Sequence, residues 1–147
     1  MKYLLISLII AITAIIWFRP EISDGKPMPL TENLQFQLVE EEEISYEEGP
    51  MWKLSYSCPY RLEDWANVSA VEKEVISIWQ HYFRQRVEQK GYLLAMIQAR
   101  ERREGFGLFL DRPVRNFIFK RQSGISDWIL VYGEVIDGQI MQKTKSL

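Results

Sequence analysis

The chain has 147 residues, 47% of them hydrophobic and 13% aromatic, with a formal net charge of −2. That balance describes a globular chain and excludes a disordered one. The single cysteine, Cys58, excludes an intrachain disulfide, and the single histidine, His81, excludes a histidine-rich metal site and any two-histidine mechanism.

Lys2 is followed by an unbroken apolar run from Tyr3 to Phe18, which Arg19-Pro20 ends. Sixteen helical residues span roughly 24 Å, short of the ~30 Å hydrocarbon core. Interfacial Trp17 and Phe18, with Lys2 and Arg19 snorkelling at the two ends, make up the difference. Residues 1–19 are therefore expected to be an uncleaved transmembrane anchor. A signal peptide is the competing reading, but the best small-x-small match, Ala11-Ile12-Thr13, lies inside the run. Lys2 with the amino terminus, set against Arg19 followed by Glu21 and Asp24, favours an inside N-terminus. The chain then sits in the inner (cell) membrane as a single-pass protein, its domain facing the periplasm or cell exterior.

Residues 20–33 hold Pro20, Gly25, Pro27 and Pro29 among polar neighbours and read as an extended linker. The α+β domain is expected over residues 34–137. Leu34, Phe36 and Leu38 alternate with Gln35 and Gln37, the period of a half-buried strand. After the Glu40–Glu43 run and a Gly49-Pro50 turn signal, Trp52, Leu54 and Tyr56 alternate with Lys53, Ser55 and Ser57 in a second strand. Ser69-Ala70-Val71-Glu72 matches a capping box and opens a long helix from about Ala70 to Lys90. Val71, Val75, Ile78, Trp79, Tyr82, Phe83 and Val87 supply its apolar stripe, and Gly91 its C′ residue.

Leu93–Ala99 is an uncharged run suited to a central strand. Short strands follow at Phe106–Leu110 and Val114–Arg121, and Trp128–Tyr132 reads as the last. Residues 138–147 form a polar, frayed tail. The expected class is α+β, in two layers, with one long amphipathic helix packed on an antiparallel sheet. This layout resembles that of cystatin-like and NTF2-like domains, an analogy of fold that transmits no function.

Chemistry is thinly marked. His81 falls on the polar side of the helix wheel, and no G-x-S-x-G elbow accompanies it. The Glu40–Glu43 run lacks the spaced oxygens of a calcium loop, and consecutive carboxylates on an extended chain alternate in direction. There is no phosphate-binding G-x-x-x-x-G-K motif. Glu104–Leu110 departs from the RNA-recognition strand motif, with Glu104 at its basic position and Leu108 at an aromatic one. No catalytic residue, metal ligand, cofactor or nucleic-acid partner is expected, and the chain is not expected to be an enzyme.

Charge is unevenly spread. Residues 21–48 carry nine acids against one base, and residues 84–121 carry ten bases against four acids. Arg100, Arg102, Arg103, Arg112 and Arg115 form a candidate interaction surface whose counterpart is either the chain's own Glu40–Glu48 or an outside anion. Arg86 lands mid-face on the apolar stripe and is a candidate buried charge, either paired or snorkelling. The expected function is a membrane-anchored protein-interaction or assembly module of the cell envelope, bound to a protein or an anionic envelope component. The alternatives are a small-ligand or lipid-binding domain in the periplasm and a hydrolase using Cys58 or clustered carboxylates.

Overall fold

The computed structural model describes residues 26–31, 34–102, 113–121, 124 and 126–147. The expected anchor at 1–19, the start of the linker and the strand expected at Phe106–Leu110 lie outside the described residues. Among the described residues no helix is long and apolar enough to cross a membrane.

A seven-stranded sheet carries a helical layer on one face, so the α+β class holds. The strands are β1 (Lys26–Thr31), β2 (Leu34–Tyr46), β3 (Gly49–Cys58), β4 (Leu94–Glu101), β5 (Val114–Arg121), β6 (Trp128–Ile136) and β7 (Gln139–Ser146), side by side in chain order. Between β3 and β4 run a 3-10 turn (Trp65–Asn67), α1 (Val68–Ile78), a π-helical turn (Trp79–Phe83) and α2 (Arg84–Lys90), the last three forming one continuous helix.

The expected sheet is antiparallel throughout, but β3 and β4 pair in parallel. The helix carries the chain from the end of β3 back to the level at which β3 began, so β4 must set off in the same direction. The remaining neighbours are antiparallel. Two strands lie where none was expected. β1 forms within the expected linker, and β7 forms within the expected tail. Asp137 (φ 51°) and Gly138 (φ 78°) make the tight turn that folds β7 back onto β6. Positive φ at both central residues matches the right-handed twist of the strands they join.

The helix begins earlier than the capping-box pattern implies. Asp64 Oδ1 accepts the Ala66 amide at 2.9 Å and caps the 3-10 turn, so Ser69 is left exposed inside α1. Glu72 does not reach back to cap. It is buried, and its carboxylate accepts from the Tyr132 hydroxyl at 2.7 Å and Lys145 Nζ at 3.0 Å. Two tertiary donors outweigh one local amide. At the far end Gly91 (φ 79°) takes the left-handed cap, with its amide on the Glu88 carbonyl and that of Tyr92 on the Val87 carbonyl.

Val71, Val75, Ile78, Trp79, Phe83 and Val87 share one core with Leu54, Tyr56, Ile97, Phe117, Phe119 and Leu130. Large side chains buried this fully contribute about 1.5–3 kcal/mol each. The space between helix and sheet is filled by rings: Trp79 stacks on Phe119 with centroids 4.0 Å apart and meets the edge of Trp128 at 4.8 Å. In the π-turn the Arg84 amide reaches back five residues to the Trp79 carbonyl. This turn takes in one residue more than an α-turn. Residues beyond it are rotated relative to a regular wheel, so Val87 stays in the core while Arg86 moves to the flank.

Candidate interaction face and its neighbours

One local irregularity in β2 decides which acids face which way. Register shifts between Leu38 and Glu40, where Leu38 opposes Tyr56 and Glu40 opposes Ser55. Val39 is thus the extra residue of a bulge, and the bulge reverses the in–out alternation beyond it. Phe36 and Leu38 face the helix before it, and Glu41 and Glu43 face the helix after it. Glu40, Glu42 and Ile44 are turned to the opposite, outer face of the sheet.

On that outer face the chain's acidic and basic segments meet. Glu40 accepts from Lys53 Nζ at 3.1 Å, Ser55 Oγ at 3.2 Å and the Arg100 guanidinium. Burial alone would raise the Glu40 carboxyl, but the Lys53 hydrogen bond and the Arg100 charge outweigh it and hold the group below its ordinary range. Lys53 also reaches Glu42 at 2.7 Å, and Arg100 Nε donates to Gln98 Oε1 at 2.9 Å. The ladder continues to Asn116 through Gln98, and on the same face Arg102 bridges Gln37 and Ser57. Arg102 donates to the Gln37 and Ser57 oxygens, which are neutral. The other end of the same face is apolar: Met51, Leu94 and Met96 cluster with Ile44 and Ile118.

The five arginines of the expected surface separate. Arg100 and Arg102 share the outer face, and Arg100 finds its counterpart inside the chain, in the acidic segment. Arg115 lies on the helix side of β5. It donates to the Leu62 carbonyl and stacks over the Trp65 ring at 4.2 Å, fastening the loop that leads into the helix. Arg103 and Arg112 lie outside the described residues. Arg86 is paired, with Nε and Nη2 on the two Glu41 carboxylate oxygens at 2.9 and 3.1 Å, and its side chain is 45% exposed. Glu41 also accepts the Trp52 indole N–H at 2.7 Å.

The two groups considered for catalysis differ in setting, one exposed and one buried. His81 is exposed on the π-turn, with Nδ1 2.9 Å from the Ser77 carbonyl. Cys58 is fully buried; burial pushes its thiol pKa up, and the Glu74 charge adds to that, which leaves little thiolate at neutral pH. Glu74 accepts from the Tyr56 hydroxyl at 2.9 Å and lies 4.0 Å from the Cys58 sulfur. Burial raises the Glu74 carboxyl as well, only partly offset by the Tyr56 hydrogen bond and the Arg102 charge. Among the described residues no group of His, Cys, Asp and Glu could hold a metal ion.

An acid whose folded-state pKa is raised costs stability when ionised. The cost applies above the folded pKa and disappears once pH falls below the unfolded value near 4.5. Glu74→Gln keeps an oxygen for Tyr56 and never ionises. It is expected to be more stable than the wild type at pH 7, with the gap closing below about pH 4.5. Glu40 and Glu72 are held low and lose their stabilisation in acid equally in both proteins, so the difference between the two unfolding curves isolates Glu74.

A cleft of about 460 Å³ opens beside the helix C-terminus, lined by Glu43, Glu48, Pro50, Lys90, Tyr92 and Leu94. Trp52 stacks on Tyr92 at 5.7 Å beneath Lys90, whose Nζ lies 4.1 Å from the Trp52 ring centre. Glu43 already takes the Tyr92 hydroxyl, and Glu48 takes Lys120. Sequence reasoning did not mark this cleft, because its walls come from a hairpin and a helix cap distant in the chain. No protein-family model, curated protein or solved structure matches the chain.

Proposed function

We propose that the chain is a membrane-anchored interaction module of the cell envelope, held by residues 1–19 with its domain outside the membrane. Its partner is a protein or an anionic envelope component, and it meets the outer face of the sheet. One observation carries this reading: on the sheet face opposite the helix, the partly exposed Glu40, Glu42 and Arg100 are held in fixed positions by one another and by Lys53. Charged groups held in place ahead of binding match the polar part of protein interfaces and set partner choice by charge. The cystatin-like or NTF2-like layout is part of this proposal as an analogy of helix over sheet. The filled space around Trp79 favours surface recognition over an interior ligand pocket.

Crosslinking in the native membrane followed by co-purification tests the reading. A stoichiometric partner is expected, retained at low salt and weakened at 1 M, where screening shortens to ~3 Å. Arg102→Glu with Arg103→Glu is expected to lose it while the fold survives. Partner capture indifferent to both charge and salt, or release of the chain by alkaline carbonate, sinks the proposal. The cleft lined by Glu43, Lys90 and Tyr92 supports a second reading as a small-ligand site, for which native mass spectrometry would show a bound small molecule.

A further inference from the structure

The two edges of the sheet are built differently. β1 ends it on one side and β7 on the other. β1 carries Pro27 and Pro29, two residues apart, and a proline can take part in a paired strand only with its nitrogen turned away from the partner. The outward side of β1 therefore lacks two amide donors, which blunts it against a further strand. β7 has no proline. Its two lysines, a common guard of open edges, are folded back: Lys143 onto Glu134 at 3.1 Å and Lys145 onto Glu72 at 3.0 Å.

The phase of the ladder shows which groups of β7 are free. The Leu147 amide donates to the Trp128 carbonyl, so this opposed pair is hydrogen-bonded, and such pairs recur at every second residue. Met141, Lys143 and Lys145 turn their backbone groups inward to β6. Ile140, Gln142, Thr144 and Ser146 turn theirs to the open edge. Ile140 is 74% exposed and Met141 50% exposed beside it.

We propose that β7 pairs antiparallel with β7 of a second copy of this chain, about a two-fold axis at Gln142. Faces match only when paired positions have the same parity, and two registers then give the greatest overlap. One is centred on Lys143 and sets the two Lys143 side chains directly opposite each other. The other is centred on Gln142 and places Lys143 against Met141, Lys145 against Gln139 and Ile140 against Thr144. Like charges directly opposite are destabilising, so the Gln142 register is selected. It joins the free amides and carbonyls of Ile140, Gln142 and Thr144 to their partners and covers Ile140. The interface is slender, one strand about 26 Å long. The dimer is accordingly weak in solution and is favoured by confinement of both copies to one membrane. This surface is separate from the outer face proposed above, and only the confinement to one membrane rests on that proposal.

Two variants of the full chain in mild detergent test it. Gln142→Cys places two sulfurs across the axis, where hydrogen-bonded partners have Cα atoms about 5.5 Å apart, within disulfide reach. A disulfide-linked dimer is expected under mild oxidation, absent from the wild type, whose only thiol, Cys58, is buried. Gln142→Pro removes an amide that β6 does not use. It is expected to abolish the concentration-dependent dimer seen by sedimentation while leaving the unfolding midpoint within a few degrees. A wild type that stays monomeric at every concentration overturns the proposal. So does a dimer that survives Gln142→Pro, a disulfide that forms from Lys143→Cys in place of Gln142→Cys, or capture of an unrelated polypeptide by Gln142→Cys.

Discussion

Trp79→Ala is expected to lower the unfolding free energy by about 3–5 kcal/mol, as large-to-small changes at fully packed aromatic sites do. Trp79 has no exposed surface. It stacks on Phe119 at 4.0 Å with the planes 11° apart, and meets Trp128 and Phe83 edge-on. No neighbouring group is placed to refill its volume without moving a strand. Trp79→Phe should behave differently. The indole Nε1 is buried with no hydrogen-bond partner, so phenylalanine keeps a ring against Phe119 and removes a donor that costs about 1–3 kcal/mol to desolvate. Its cost should fall below about 1.5 kcal/mol. Urea unfolding of the detergent-solubilised chain, followed by tryptophan fluorescence, separates the two. Equal losses for Phe and Ala would mean that a ring against Phe119 is not enough and that the full indole volume holds the layers together.

What the sequence made legible was whatever depends on period alone. Val75, Ile78, Phe83 and Val87 lie in the core because helical spacing places them there, and Phe117, Phe119, Trp128 and Leu130 lie there because strands alternate. Two discrepancies trace to local breaks of a period. Val39 adds a bulge, so Glu41 and Glu43 face the helix while Phe36 does too, which no regular alternation allows. The π-turn at Trp79–Phe83 shifts Arg86 from the apolar stripe to the flank. β7 is polar at nearly every position and carries no core-facing stripe to betray it. Its signal was the Asp137-Gly138 pair between Ile136 and Gln139, a hairpin turn by chemistry and not by hydrophobicity. β1 was hidden by Pro27 and Pro29, which are loop signals in general and edge-strand signals only once a neighbour is known. The candidate surface was legible as charge but not as geometry, since Arg100 and Arg115 stand on opposite faces of the sheet.

Glu41→Ala is expected to cost about 2–4 kcal/mol, because one carboxylate serves several donors and its loss strands them together. Its side chain is 11% exposed, and it accepts Trp52 Nε1 at 2.7 Å and both Arg86 nitrogens. Tyr82 contributes from the same side, with its hydroxyl 3.4 Å from Oε2 and its ring 5.0 Å beneath the Arg86 guanidinium. Arg86→Ala should cost less, about 1–2 kcal/mol, since the guanidinium is half exposed and water replaces part of what it gives. Arg84→Ala is the control: its bond to Glu88 at 2.9 Å is an exposed i,i+4 pair worth about 0.3–0.5 kcal/mol. The double variant Glu41→Ala with Arg86→Ala is expected to cost less than the sum of the singles, because with the carboxylate gone the guanidinium has nothing left to lose. The order of these three losses tests the bulge at Val39 directly. Without it Glu41 would point to the outer face, Arg86→Ala would match Arg84→Ala within error, and the two changes at positions 41 and 86 would simply add.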